Sequence, residues 1–327
     1  MVKKIFLGLL LLTGLTIFSF YYADLSRETL WERYAYPDSK TLEIGGMPVH
    51  YRVTGQGHPL LLLHGTGSSL HTWEGWTRAL QDSFQVISVD LPAFGLTGPH
   101  PERDYSIAAY AAFVEDFVSA IAVDSFALAG NSLGGLIAWS YTAKYPERVT
   151  ALALLDPAGF PGLNAASEAP PLPMRLAKQP VTAKIMQRIT PKFIIKNSLL
   201  EVYADDNKLS PAVVDRYFDM SLRAGNRQAF VDRTNTVRNI DTLDLTEIDV
   251  PSMIMWGEED LWIPVGDAER FAALLPNDTT VILEDVGHVP MEEMPDLTAE
   301  IVRGWLLDLA NTPTDSTGVL RLETEEE

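Results

Sequence analysis

Cysteine is absent from the chain. Disulfides, a thiolate nucleophile and thiolate metal sites are therefore excluded, as is lipid attachment through an N-terminal cysteine. Positive charge is scarce as well: 25 lysines and arginines stand against 44 aspartates and glutamates, giving a net charge of −19. Nucleic acid, whose phosphates need a basic footprint, is not an expected partner. Only six histidines occur, and they are scattered rather than grouped as metal ligands, so neither metal nor cofactor is expected. What is abundant is apolar: 46% of residues are hydrophobic and 21% charged, the balance of a globular protein with a substantial core.

One apolar, uncharged run stands at the N-terminus. Lys3 and Lys4 precede Ile5–Tyr22, which carries no charged residue. As a helix this run would span about 27 Å, close to a hydrocarbon core of about 30 Å. Tyr21 and Tyr22 suit a membrane interface. Residues 1–23 are thus read as an uncleaved anchor, with a cleaved signal peptide and a soluble N-terminal helix as the alternatives. Against cleavage, Ala23 has the bulky Tyr21, not a small residue, two positions before it. Two lysines on the cytoplasmic side would put the remainder outside, in a periplasmic or extracellular location, or in the medium if the segment were cleaved.

Residues 24–40 follow as a polar juxtamembrane linker. From residue 41 to about 310, strand-like and helix-like segments alternate, the pattern of a mostly parallel sheet covered on both faces. Thr41–Ile44 and Val49–Val53 flank Gly45-Gly46 as a hairpin. Leu60–Leu63, Val86–Val89, Phe126–Ala129, Val149–Leu155, Ser252–Trp256 and Thr280–Leu283 supply the other strands, eight in all. Ile107 to Ile121 carries apolar residues at helical spacing behind Ser106 as N-cap, and Leu133–Tyr145 is a second helix stopped by Pro146. Between about residues 160 and 248 the alternation breaks into amphipathic helical patches, read as an inserted cap. Residues 311–327 form an acidic tail read as solvated charge.

The chemistry is concentrated at Gly130-Asn131-Ser132-Leu133-Gly134-Gly135, a G-x-S-x-G sequence lying between a strand and a helix. The sharp turn strains the backbone at Ser132, so Gly130 and Gly134 are needed to avoid clashes. A serine held there is a candidate nucleophile, but its hydroxyl needs a base. His288, in Asp285-Val286-Gly287-His288 after the last strand, falls at the same carboxyl edge of the sheet. Asp260, in the loop after Ser252–Trp256, is the leading acid to orient it, with Glu258, Glu259 and Asp156 as rivals. Oxyanion donors are expected from the backbone N–H of Leu133 and of Thr66, with Gly67 as the fallback for the latter. His64 and Gly65 support that loop. In the cap, Met174, Leu176, Ile185, Met186, Ile189, Phe193, Ile194 and Ile195 either pack it onto the sheet or line an apolar acyl pocket.

With these residues in view, the chain resembles the α/β-hydrolase fold superfamily, specifically its capped serine esterases and lipase-like members, over about residues 41–310. The resemblance rests on His64-Gly65, Asp90–Gly95, Gly130–Gly135, Gly257–Asp260 and Gly287-His288. Leu155–Phe160 and Val286–Glu292 are similar to bacterial membrane-associated lipases of that group. Ala93 departs from the pattern, standing where the family often has glycine. The resemblance implies a triad in the order Ser132, Asp260, His288 and hydrolysis of short to medium acyl or lipid esters through an acyl-enzyme. Two alternatives are weighed beside it. One is a carbon–carbon bond hydrolase of dienone diketo acids, whose dianionic substrates would use Arg175, Arg188, Arg223, Arg227 or Arg233; the other is a non-catalytic binding member of the fold.

Overall fold

A computed structural model provides the three-dimensional structure and describes residues 20–159, 170–236 and 244–311. Residues 1–19, which carry most of the apolar N-terminal run, and the tail from residue 312 lie outside the described residues, as do 160–169 and 237–243 within the expected cap. Among the described residues no helix is long and apolar enough to cross a membrane.

Eight strands form one sheet: β1 (Lys40–Ile44), β2 (Met47–Thr54), β3 (His58–Leu63), β4 (Phe84–Val89), β5 (Phe126–Asn131), β6 (Val149–Leu155), β7 (Ser252–Gly257) and β8 (Asp278–Leu283). Their spatial order is β1-β2-β4-β3-β5-β6-β7-β8. The β1–β2 hairpin turns through Gly45 and Gly46, at φ 55° and 79°, the positive values a tight two-residue turn requires. Pairing is antiparallel from β1 to β4 and parallel from there to β8. The fold is thus the mostly parallel, eight-stranded sheet of an α/β hydrolase.

Side-chain alternation explains why the sheet is covered twice. Leu61, Leu63, Leu128, Leu152, Leu154, Ile254 and Trp256 face one core. Their neighbours Leu60, Leu62, Ala127, Ala129, Ala151, Ala153, Met253 and Met255 face the other. Strands buried on both faces must be apolar throughout, hence the unbroken Leu60–Leu63 run. On the first face lie α3 (Ile107–Ala120), α4 (Leu133–Lys144) and α10 (Gly266–Ala272). The second face is covered by α2 (Glu74–Leu80) and, after the single turn α11 (Pro290–Glu293), by α12 (Pro295–Asn311), where Trp76 Nε1 donates to Thr298 Oγ1 at 2.8 Å. Helix α3 starts where its N-cap predicts: Ser106 Oγ accepts from Ala109 N at 3.2 Å.

Two regions differ from a plain strand–helix alternation. Among the described residues between β6 and β7 lie five α-helices: α5 (Leu172–Lys178), α6 (Pro180–Met186), α7 (Lys192–Val202), α8 (Pro211–Ser221) and α9 (Asn226–Asn235). They sit over the carboxyl edge of the sheet, with Leu199, Val202 and Val214 packed into its second core. Ahead of β1, part of the expected linker is ordered as helix α1 (Arg27–Tyr34), capped by Ser26 Oγ accepting from Thr29 N at 3.1 Å. Leu30 is fully buried there, and Arg33 and Tyr34 both donate to Asp219 of α8 at 2.9 and 2.8 Å. A polar helix with one buried leucine has almost no periodic signal, which is why the sequence reads as a linker.

The main chains of α4 and the end of β3 approach too closely for a side chain between them. A Cβ on Gly134 would lie 2.1 Å from the Leu63 carbonyl oxygen, whereas one on Gly304 of α12 would meet nothing within 4 Å. Gly134→Ala is therefore expected to destabilise the protein by about 3 kcal/mol or more, and Gly304→Ala to stabilise it by about 1 kcal/mol. Urea melts of the two variants check the contrast, and equal midpoints would refute it.

Candidate active site

Ser132 sits between β5 and α4 at φ 54°, ψ −115°, a strained conformation for any residue with a side chain. Hydrogen bonds on both sides hold it there: its N–H donates to Leu155 O at 3.1 Å, while its carbonyl accepts from Leu136 N and Ala158 N, each at 3.0 Å. Gly130 is required by contact as well as by turn geometry, because a Cβ there would lie 2.3 Å from Gly134 O. A Cβ on Gly65 would meet Ser132 Cβ at 3.2 Å, so the loop after β3 lies directly against the serine.

That loop is braced from beneath. His64 Nδ1–H donates to Gly65 O at 2.8 Å and His64 Nε2 accepts from Leu91 N at 3.0 Å. Burial lowers the His64 pKa and keeps the ring neutral, the form these two bonds require. Asp90 accepts from Leu70 N and Leu96 N, each at 2.7 Å, and pairs with His50 Nδ1 at 2.8 Å. Thr66 lines the cavity above Ser132. Leu133 is the first residue of α4, so its N–H has no acceptor one helical turn back. Ala93, the departure noted in the sequence, has φ 85°, a value that favours glycine, and its N–H is held by Gly98 O at 2.7 Å.

His288 and Asp260 meet over the same edge. His288 Nδ1 and Asp260 Oδ2 are 2.6 Å apart, and both residues are buried. The other oxygen of Asp260 accepts from Trp262 N at 2.7 Å and Ile263 N at 3.0 Å, which leaves the carboxylate fixed as an acceptor. His288 Nε2 has no hydrogen-bond partner. His288 and Ser132 line one cavity. Of the rival acids, Glu258 and Glu259 are exposed, and Asp156 lies buried behind the Asp260–His288 pair. The 2.6 Å spacing is that of a hydrogen bond. Two ligands of one tetrahedral zinc ion would stand about 3.4 Å apart, so the pair is not arranged around a cation.

Three further features carry no motif that would have singled them out. Asn131 Nδ2 donates to His288 O at 2.9 Å and to Leu155 O at 3.2 Å, tying the residue before the serine to the histidine loop. Glu293 Oε1 accepts from Gly287 N at 2.7 Å, and its Oε2 accepts from Ala204 N at 3.0 Å. Glu292 accepts from Tyr203 at 2.6 Å, from Tyr217 at 2.5 Å and from Thr72. Burial, together with the Glu292 charge, pushes both phenols up and keeps them protonated donors. Cap, histidine loop and the turn at Leu70–Trp73 after β3 are thereby joined through two carboxylates.

The cavity wall is largely apolar. Met174, Met186, Ile189, Ile194 and Ile195 line it, whereas Ile185 and Phe193 face outward and Leu176 does not contribute to the lining. Of the five arginines a dianionic substrate would call on, Arg227 alone is among the lining residues. Its guanidinium is committed to Arg188 O at 3.0 Å, Tyr22 O at 3.1 Å and the Asp24 carboxylate. Arg223 donates to Leu96 O and Thr97 O instead, at 3.1 and 2.9 Å.

This geometry agrees with kinship. Residues 58–295 match the alpha/beta hydrolase fold family, and the chain belongs to it. It is 30% identical over 270 residues to an uncharacterised protein of Mycobacterium tuberculosis, covering 78% of this chain and 77% of that one. To Lipase 1 of Psychrobacter immobilis it is 28% identical over 252 residues, 75% of each. Among solved structures it resembles a membrane phospholipase A described as a bacterial virulence factor, with a TM-score of 0.72, 28% identity, and coverage of 95% of this chain and 100% of that one. Family and relatives alike mark the chain as a hydrolase.

Removing the Asn131 clamp tests the coupling between serine and histidine loops. Asn131→Ala is expected to lower stability by about 1–3 kcal/mol and to reduce hydrolytic kcat with little change in KM. Unchanged turnover and unchanged melting would show that the two loops are held independently.

Proposed function

We propose that the protein is a serine carboxylester hydrolase that works through Ser132, His288 and Asp260. The observation that carries this reading is the strained Ser132 in one cavity with a histidine whose Nδ1 is 2.6 Å from a buried carboxylate and whose Nε2 is unengaged. In the reaction, Ser132 Oγ attacks the ester carbonyl while His288 Nε2 takes its proton. Asp260 holds the imidazole in the tautomer that exposes Nε2 and stabilises the imidazolium. The N–H groups of Leu133 and Thr66 receive the developing oxyanion. His288 then protonates the leaving alcohol, and a water activated by the same ring releases the acid.

The apolar lining favours an acyl chain over a charged substrate. For the dienone diketo acid alternative, Arg227 is the one arginine of the five in the cavity lining and it is held by Arg188 O, Tyr22 O and Asp24, so the ester reading is preferred. A lipid ester is favoured by the outer surface of the cap, where Val181 is 73% and Phe193 52% exposed beside the cavity-lining Ile194. The end of the N-terminal run lies on that same surface: Phe20 packs edge-on against Phe193 at 5.8 Å, and Tyr21 bridges to Ile189. We therefore assign residues 5–22 as a membrane anchor that holds the cap toward the bilayer, with the catalytic domain on the extracytoplasmic side.

Ser132→Ala or His288→Ala should reduce kcat for p-nitrophenyl butyrate by on the order of 10⁶, with Asp260→Ala costing less. Turnover by Ser132→Ala near the parental rate would overturn the assignment. A series of p-nitrophenyl esters from acetate to dodecanoate, assayed on the full chain in detergent, should favour acyl chains over a dienone diketo acid. Faster turnover of the latter would select the alternative.

A further inference from the structure

Behind the Asp260–His288 pair lies a second carboxyl group that the mechanism above does not use. Asp156 follows β6, is fully buried, and takes φ 44° although it is not glycine. Its backbone N–H donates to Met255 O at 3.0 Å and its Oδ1 accepts from Gly257 N at 3.0 Å. Two residues on, Ala158 N donates to the Ser132 carbonyl. The residue is thus pinned between the end of β7 and the nucleophile's own turn. Its Oδ2 is buried with no hydrogen-bond partner.

Asp260 accepts from two amides on Oδ1 and faces the imidazole through Oδ2, which leaves about one of the four acceptor sites of a carboxylate free. One oxygen of Asp156, one of Asp260 and one ring nitrogen of His288 all lie within 4.8 Å of one another. Two bare carboxylates at that separation, buried and sharing a single imidazole, would repel in a medium that screens poorly. A proton on Asp156 Oδ2 removes both difficulties. It leaves Oδ1 as the acceptor from Gly257 and converts the orphaned oxygen into a donor.

We propose that Asp156 is a positioning residue: a neutral carboxylic acid whose Oδ2 hydroxyl is directed at the Asp260 carboxylate, fixing the acid–base pair and keeping a second negative charge away from it. The inference rests on the Ser132–His288–Asp260 reading. No proton is transferred in the step; the hydroxyl donates and keeps its hydrogen. The titratable groups facing Asp156 are Asp260, His288 and Glu293, and Asp267 of α10 stands beyond Asp260. Burial and then the Asp260 charge raise the Asp156 pKa well above the ordinary carboxylate value.

The sign of the pH effect follows. A carboxyl group whose folded-state pKa is raised contributes its full stability below the unfolded pKa and loses it as pH rises toward the folded value. Asp156→Asn keeps the acceptor and a neutral donor but cannot ionise. The Tm of Asp156→Asn minus that of the parent should therefore climb steadily from pH 4 to pH 8, a readout that needs no catalysis.

In kinetics, Asp156→Asn should keep kcat within about threefold of the parent, whereas Asp156→Ala, which deletes the donor, should lower it roughly tenfold or more at unchanged KM. A Tm difference that is flat or falls with pH, or an asparagine variant as impaired as the alanine variant, would overturn the proposal. Failure of the triad reading would show separately, as activity retained in Ser132→Ala.

Discussion

The structure depends on one close approach of main chains. At Gly134 the first turn of α4 lies against the Leu63 and His64 carbonyls, nearer than a methyl group permits: a Cβ would be 2.1 Å from the first and 2.7 Å from the second. This contact brings the turn that presents Ser132 directly against the loop that carries Thr66. Gly65 extends the contact: a Cβ there would stand 3.2 Å from Ser132 Cβ, tight enough that one of the two would have to shift. The strain at Ser132 persists because strand, helix and the Leu155–Ala158 segment hold it from three directions.

Around that contact the polar groups form a connected frame. Asn131 reaches the His288 carbonyl, Glu293 reaches the Gly287 amide, and Glu292 gathers hydroxyls from the cap and from Thr72 in the turn at Leu70–Trp73. The cap is therefore more than a lid resting on the sheet. Val202 O accepts from His288 N at 2.9 Å, so the end of α7 helps to place the imidazole-bearing loop. The segment after the N-terminal run is bound into the same frame, since Arg227 of the cavity wall is held by Tyr22 O and Asp24. Movement of the N-terminal segment would be felt at the pocket.

The sheet was legible in the sequence because strands buried on both faces must be apolar throughout, as at Leu60–Leu63 and Phe126–Ala129. The serine turn was legible because G-x-S-x-G encodes a steric requirement, not merely a preference. His288 and Asp260 could be placed at the same edge because both follow parallel strands. Helix α1 could not be read: its single buried leucine leaves no periodicity, and its stability comes from residues as distant as Asp219. The bridging roles of Asn131 and Glu293 were equally hidden, because their partners are backbone carbonyls and amides that any residue supplies, and that of Glu292 because its hydroxyl partners Thr72, Tyr203 and Tyr217 lie far from it in the chain. Among the five arginines, sequence could not tell which faces the cavity, since guanidinium direction is settled by acceptors such as Leu96 O and Arg188 O.

A crystal structure of the full chain after reaction with a fluorophosphonate ester tests the central claim most directly. The account predicts phosphorus bonded to Ser132 Oγ, one phosphonyl oxygen within hydrogen-bond distance of the Leu133 and Thr66 amides, and His288 Nε2 facing the adduct. Phosphorus on another residue, or an oxygen turned away from both amides with His288 out of reach, would contradict it.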